Sequence, residues 1–251
     1  MSYLGYVKPI INGYPVSGDP VVIEIGIDQG HSTLAIVQNL VSKYERSIYL
    51  GCDIKFNKVV GEQLVSFRDV LVKGIDSEEI MSDMSVPGCR FSAHEINSLE
   101  WLANVTKFTT ESENNGFVDI AFVDGDHNYY TVLKELRMIK KILKPESIIV
   151  CDDYNGKWAT RDGFYSEAES HKDIVAATPR KVSEKEGVKN AVDDFLRENP
   201  NWRGWTNPAV DPMLLYRRDI WSDVSLPRKD YELFSRCSFR FTKHPDRREE
   251  G

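Results

Sequence analysis

Apolar runs alternate along the chain with stretches of helical periodicity. Residues 21–25 (VVIEI) form a β-branched run between Gly18-Asp19-Pro20 and Gly26, the pattern of a short buried parallel strand. From about residue 32 to 43, Leu34, Val37, Leu40 and Val41 recur at spacings of three and four, which predicts an amphipathic helix. Residues 47–52 (SIYLGC) predict a second strand ending at Asp53, and 57–67 a helix. The stretch 69–88 mixes polar and apolar residues and fits a helix plus a loop. Residues 89–94 predict a third strand and 98–108 a helix. Residues 117–123 (FVDIAFV) predict a strong strand ending at Asp124. The clearest helix spans about 128–143, where Tyr129, Val132, Leu133, Leu136, Ile139, Ile142 and Leu143 make one apolar stripe and Pro145 blocks continuation. Residues 147–151 (SIIVC) predict a further buried strand, followed by Asp152-Asp153.

Beyond this point the rhythm breaks. Residues 154–179 are polar, contain glycine and carry aromatics, a long connection of the kind that serves as a lid or binding loop. A helix is predicted over 187–198, and 202–206 with 213–217 read as paired strands closing the sheet. Strand–helix alternation of this kind predicts an α/β fold, a doubly wound, mostly parallel sheet with helices on both faces. The expected organisation is one domain over 1–220, with a lid or insert at about 154–180, and a C-terminal tail over 221–251. In such sheets ligands bind at the carboxyl ends of the strands. Asp53, Asp124, Asp152 and Asp153 all fall there, each directly after an apolar run.

Composition narrows the partners. The 251 residues are 41% hydrophobic and 28% charged, enough to bury a core without disulfides, and the net charge of −7 argues against a general nucleic-acid or anionic-membrane binder. Cys52, Cys89, Cys151 and Cys237 contain no CxxC pair, so a zinc ribbon is not expected. Cys52 and Cys151 lie inside apolar runs and read as buried free thiols, which fits a reducing compartment. The N-terminus shows no basic region followed by an apolar run, and no stretch reaches the ~20 apolar residues of a membrane helix. The expectation is a cytoplasmic protein without membrane contact, and nothing in the sequence bars a homo-oligomer.

The segment Glu24-Ile25-Gly26-Ile27-Asp28-Gln29-Gly30-His31-Ser32 joins the first strand to the first helix. Glycine permits a tight turn, and amides at a helix start favour an anion. A dinucleotide fingerprint places a second glycine where this chain has Asp28, whose side chain would crowd and repel a pyrophosphate. A ligand with one carboxylate and a cationic sulfonium is the better match; a turn with no ligand is the alternative. Asp53, at the end of the second strand, suits the two hydroxyls of a ribose or, equally, the cap of a helix.

Taken together, Glu24-x-Gly26-x-x-x-Gly30, Asp53, Phe122-Val123-Asp124-Gly125-Asp126-His127-x-Tyr129, and Lys144-Pro145 followed by Ile148-Ile149-Val150-Cys151-Asp152-Asp153 resemble class I S-adenosylmethionine-dependent methyltransferases. The resemblance covers roughly residues 21–218 and is nearest to metal-dependent O-methyltransferases, including those acting on sugar hydroxyls. It implies a seven-stranded, mostly parallel sheet whose last strand runs antiparallel. It implies that Glu24, Gly26, Gly30 and Ser32 lie around the methionine part of the cofactor, that Asp53 holds the ribose and that Asn97 and Ser98 lie near the adenine. Asn97 stands where aspartate is common in the family, and Glu146-Ser147 stand where it often has two glycines.

The resemblance further implies that Asp124, which also borders the cofactor, converges with Asp152 and Asp153 on Mg²⁺ or a similar divalent cation. Clustered carboxylates repel unless a cation neutralises them, and oxygen-only ligands suit a hard ion. His127, three residues after Asp124, is the candidate base that deprotonates a hydroxyl. His31, His94 and His171 read as structural or solvated. Tyr154, Trp158, Phe164 and Tyr165 either wall a small-molecule site or anchor their loop. The expected function is S-adenosylmethionine-dependent O-methylation of a small-molecule acceptor. The competing classes are a nicotinamide-dependent oxidoreductase and a non-catalytic cofactor-binding module.

Overall fold

The computed structural model describes residues 4–16, 18–56, 84–86, 88–109, 116–178, 180–181, 183–206, 211–225 and 239–244. The predicted helix over 57–67, most of 69–88 and Cys237 lie outside the described residues. The chain opens with α1 (Leu4–Gly13), β1 (Val21–Ile25), α2 (His31–Lys43) and β2 (Ile48–Asp53). A short β3 (Met84–Val86) then precedes β4 (Cys89–Glu95), α3 (Ser98–Thr109), β5 (Val118–Val123), α4 (Tyr129–Ile139) and β6 (Leu143–Cys151). After the long connection come α5 (Gly187–Glu198), β7 (Trp202–Trp205), β8 (Met213–Arg217), β9 (Trp221–Ser225) and β10 (Arg240–Lys243).

Eight strands form one sheet in the order β3-β4-β2-β1-β5-β6-β8-β7. Strand β1 pairs in parallel with β2 and β5, β2 with β4, and β5 with β6. Strand β8 is antiparallel to both β6 and β7, so β7 runs with the parallel set. This is the doubly wound sheet expected, with the short β3 added antiparallel at the β4 edge. From β1 the order proceeds to β2 on one side and to β5 on the other. Their carboxyl ends therefore flank the crevice where an open α/β sheet binds its ligand.

The two-residue period of the strands sorts the core into two layers. Val22, Ile120, Phe122, Ile148 and Val150 face α1 and α2, while Ile23, Ile25, Ala121, Val123, Ile149 and Cys151 face α4 and α5. The acid inside the apolar β5 run has a structural role. Asp119 is buried, and its Oδ2 accepts from the Val21 amide at 2.8 Å and from Lys144 Nζ at 2.6 Å, tying β1 and β6 to β5. Cys52, Cys89 and Cys151 are buried free thiols, as expected for the first and last of them.

Three elements depart from the sequence expectation. Helix α4 ends at Ile139 rather than near 143, and β6 starts at Leu143 with Pro145 inside it. The Ile142 carbonyl accepts from the Phe117 and Val118 amides at 2.9 and 3.0 Å, drawing this segment into the sheet, and the register shift between Val118 and Ile120 accommodates the proline. Helix α1 has no counterpart in the sequence reading; its Tyr6, Val7, Ile10 and Ile11 are buried, and Lys43 Nζ donates to the carbonyls of Ile11, Asn12 and Tyr14 at its end. Within 221–251, β9 and β10 pair, and Trp221, Val224 and Phe239 join the same core layer as α1. No helix among the described residues is long and apolar enough to cross a membrane.

Glu135 on α4 is an outlier in this core. It is completely buried, and burial pushes its carboxyl up to about 8 against the opposing effect of a hydrogen bond from Ser98. The folded state thus keeps a proton that the unfolded chain releases at the ordinary value of 4.5, so stability attributable to this group falls as pH rises from about 4.5 to about 8. The loss is on the order of 4 kcal/mol. Urea unfolding near pH 5 and pH 8.5 is expected to show a larger loss for the wild type than for Glu135→Gln. Equal losses would mean that the carboxyl ionises in the fold without penalty.

Candidate active site

The site begins with a backbone constraint. Gly26 has φ of 89°, and a Cβ there would lie 1.9 Å from the Asp124 carbonyl oxygen. Its amide donates to the Cys52 carbonyl at 3.0 Å, while the Asp124 amide donates to the Ile25 carbonyl at 2.8 Å. Glycine thus lets the ends of β1, β2 and β5 close on one another. The turn beyond it is left-handed at Asp28 (φ 44°) and at Gly30 (φ 73°), the N-cap of α2. This geometry aims the Ile27 and Asp28 amides at Asp53, whose Oδ2 accepts from them at 2.6 and 2.8 Å. Asp53 Oδ1 accepts from the Lys55 amide at 3.2 Å.

A cleft opens over these groups. It is lined by Gly26, Asp28, Asp53, Lys55, Ile96, Ser98, Asp124 and Asp126 from the strand ends, and by Tyr165, His171 and Thr178 from the connection after β6. It holds about 750 Å³ of free space including its mouth, within the ~300–1,000 Å³ common for ligand sites. Of the expected cofactor contacts, Gly26, Asp53, Ser98 and Asp124 border this cleft.

Glu24, Gly30, Ser32 and Asn97 do not border it. Glu24 is completely buried beneath the turn: its Oε2 accepts from Thr33 Oγ1 at 2.5 Å and from the Tyr49 hydroxyl, and Ser32 also bonds it. Burial pushes the Glu24 carboxyl up to about 7. Glu24 and Ser32 therefore support the turn from behind. Asn97 Nδ2 donates to the Ala176 carbonyl and to Thr178 Oγ1, both at 2.8 Å, so this side chain holds the loop rather than pointing into the cleft.

The acids at the rim are only partly gathered. Asp124 and Asp152 hydrogen-bond to each other. Burial and then the neighbouring Asp152 hold the Asp124 carboxyl well above the carboxylate range, and burial and then Asp153 push Asp152 up to about 6. Both carboxyls thus hold a proton more readily than solvated ones do, and Asp152 Oδ1 is buried with no partner. Asp153, in a left-handed conformation at φ 55°, turns Oδ2 toward His127 Nδ1 at 3.4 Å. The His127 Nε2 lies 3.7 Å from Asp124 Oδ1. Among the described residues no group of three or more His, Cys, Asp and Glu side chains is arranged to hold a metal ion. The expected three-acid convergence thus appears as a pair, Asp124–Asp152, with Asp153 diverted to the histidine.

His127 is buried, which lowers its pKa against the opposing pull of Asp153. Its ring stacks on Trp158 at 6.5 Å and 13° and sits 5.9 Å from Tyr165. The aromatics after β6 divide by role. Tyr154 is an anchor, donating to Asp193 Oδ1 at 2.8 Å and accepting from Lys189 Nζ at 2.9 Å. Trp158 is another, since its carbonyl accepts from the Val188 amide at 3.0 Å. Phe164 lies under the Arg180 guanidinium, 5.3 Å away, and Tyr165 walls the cleft. Asp162 links two helix starts, its Oδ1 accepting from the Tyr129 and Gly187 amides at 2.8 and 2.7 Å. His171, read from the sequence as structural or solvated, lines the cleft instead. Its isolated place in a polar loop carried no signal for this.

A family model described as a methyltransferase domain matches residues 23–154, more than half of the 251 residues. The chain belongs to this methyltransferase family. Sheet, cleft and family together make it a class I S-adenosylmethionine-dependent methyltransferase and an enzyme, and the nicotinamide alternative gains no support. Among solved structures, the methyltransferase is similar to PaMTH1 of Podospora anserina bound to S-adenosylhomocysteine, at 17% identity over 79% of this chain and 72% of that one, with a TM-score of 0.43. It is also similar to an O-methyltransferase from Bacillus cereus in complex with S-adenosylhomocysteine, at 14% identity over 86% and 79%, TM-score 0.42. A third is TomG from Streptomyces achromogenes, an O-methyltransferase of tomaymycin synthesis in complex with S-adenosylmethionine, at 12% identity over 85% and 77%, TM-score 0.43. No curated protein matches the chain.

The methyltransferase should not tolerate a side chain at Gly26. Gly26→Ala is expected to lose about 2–4 kcal/mol of stability, because Asp124 backbone must move to admit the methyl group. It should also lose S-adenosylhomocysteine binding. A wild-type melting temperature with wild-type calorimetric binding would show that the strand ends can part freely.

Proposed function

We propose that this methyltransferase acts on a hydroxyl group of a small molecule, with His127 as the base and a divalent cation at the Asp124–Asp152 pair. The observation that carries this reading is the juxtaposition at one rim of a hydrogen-bonded carboxyl pair and a buried imidazole beside the cleft. The residues present fit a hard cation. Both donors are carboxyl oxygens, they repel unless something positive lies between them, and Asp152 Oδ1 has its hydrogen-bonding capacity unspent in a buried place. When bound, such an ion would lower the pKa of a coordinated hydroxyl. Asp153 stands beside the pair and is a further candidate ligand, together with its role toward His127.

The cofactor, when bound, supplies a sulfonium methyl group for displacement by the acceptor oxygen. The chain's own residues do the rest. Asp53, pre-aimed by the turn amides, takes the ribose hydroxyls, and the turn at Gly26 admits the methionine portion against bare backbone. Asp153 holds the Nδ1 side of His127, which turns Nε2 toward Asp124 at the rim, where it would take the hydroxyl proton. Burial keeps that imidazole neutral at physiological pH and so able to accept. The walls of Tyr165 and Trp158 keep water from the imidazole. A sugar hydroxyl is the acceptor class favoured, with a neutral or cationic molecule preferred over an anion by the acids at the rim. The buried thiols Cys52, Cys89 and Cys151 suit a reducing compartment, and the cytoplasm is the proposed location.

Calorimetry with S-adenosylhomocysteine should show Asp53→Ala weakened about 10- to 100-fold, since two hydrogen bonds to a charged acceptor are lost. On a panel of sugar and phenolic hydroxyls, His127→Ala should lower turnover by about 10²-fold or more with cofactor affinity within about twofold. Wild-type turnover in that variant rejects the base role. Activity should vanish with chelator and return with Mg²⁺, and bound Mn²⁺ detected by paramagnetic resonance should be lost in Asp152→Asn. Full activity in chelator, with no Mn²⁺ signal, would leave the carboxyl pair without a cation.

A further inference from the structure

The loop after β6, expected from the sequence as a lid or binding loop, lines the cofactor cleft itself. Tyr165, His171 and Thr178 share one lining with Gly26, Asp53 and Ser98. The loop carries its own frame. Backbone amides of Ala168, His171, Ile174 and Ala177 donate to the carbonyls of Tyr165, Ala168, His171 and Ile174 at 3.0, 2.8, 2.9 and 3.1 Å, one bond every three residues. Its stem is pinned by Arg180, which pairs with Glu167 at 3.2 Å and lies over Phe164.

The loop is tied to the strand ends at two residues, Asn97 and Asp126; Asp126 Oδ1 accepts from the Tyr165 amide at 3.5 Å, and its carboxyl also bonds Thr178. Asn97 gives both Nδ2 hydrogens to the loop, at the Ala176 carbonyl and Thr178 Oγ1, while its Oδ1 accepts from the Leu99 amide at 2.9 Å. The neighbours of Asn97, Ile96 and Ser98, border the cleft. At the other end Tyr165 stands beside His127, and the His171 ring meets Tyr165 edge-on at 5.3 Å. The loop therefore spans the cleft from the acid rim to the Ile96–Ser98 end, with the imidazole of His171 against the space between.

We propose that residues 165–178 form a wall of the cofactor site, in which His171 contacts the adenosine part of the cofactor and Asn97 is a positioning residue that latches the wall shut. This rests on the methyltransferase reading. A flat imidazole suits the face or edge of a nucleobase. A cofactor roofed in this way can exchange only when the latch opens, so Asn97 governs the rate at which the product nucleoside leaves. The sequence position that the family resemblance gives to adenine recognition thus acts here through the loop.

The test is S-adenosylhomocysteine binding to the full chain by calorimetry, with its dissociation rate by stopped-flow fluorescence. His171→Ala is expected to weaken binding about three- to tenfold, and His171→Phe, which keeps a flat ring, to retain most of it. Asn97→Ala is expected to release the ligand at least about fivefold faster, and Asn97→Asp, which keeps the oxygen that caps the Leu99 amide and removes the Nδ2 donors, to do the same with the melting temperature changed little. Wild-type affinity in His171→Ala and a wild-type dissociation rate in Asn97→Ala, alongside lost binding in Asp53→Ala, would overturn the proposal and leave the methyltransferase reading standing. No binding by the wild type would instead overturn that reading.

Discussion

The cleft depends on one contact, the approach of Gly26 to the Asp124 carbonyl. Strands β1 and β5 meet there at van der Waals limits that admit no side chain. Closing that gap forces the chain into a left-handed course through Asp28 and Gly30. That course in turn presents two amides to one oxygen of Asp53. The side chain proposed to hold the ribose is therefore oriented by backbone, and in that role it would need little reorganisation to exchange amides for hydroxyls. Beneath the turn, Glu24, Thr33 and Tyr49 form a buried polar post that keeps the strand end from shifting.

The same closure concentrates acids. Glu24 is buried, Asp124 and Asp152 are half-buried, and each holds its proton more tightly than a solvated carboxyl. Their shared cause is loss of water first and mutual repulsion second. Such a group of carboxyls is costly for folding and serves a protein that brings positive charge to it. The histidine beside it experiences the opposite effect of the same burial and stays neutral. Two kinds of proton acceptor with divergent tendencies thus sit at one rim, the condition for assigning acid and base roles.

Much of this was legible in the sequence because strand tips have a simple signature. An apolar run ending in an acid located Asp53, Asp124, Asp152 and Asp153, and the helix over 187–198 was read to the residue. What escaped was whatever depends on contacts distant in the chain. Helix α1 carries Pro9 and little polar contrast, so only its packing on Trp221 and Phe239 defines it. The early end of α4 was set by pairing of Leu143 with Val118, which overrode the apolar period. Asn97 was expected near the adenine and His171 as structural or solvated; their contacts escaped because their partners lie in a loop whose fold follows from its own turns and from Asn97 itself. Asp153 was assigned the right neighbourhood and the wrong direction, because its positive φ is not written in residue type.

Helix α1 has a consequence for biosynthesis. Its buried face rests on residues made at the far end of the chain: the Phe239 amide donates to the Pro9 carbonyl at 3.1 Å, and Tyr6 packs 6.2 Å from the Phe239 ring. Until that end is made, the oily surface leans on α2 and on the sheet residues of its own core layer. A helix made before the sheet is thus among the last elements to be fully sheltered, and a nascent chain stopped short of Phe239 leaves it open to chaperones and to neighbouring copies.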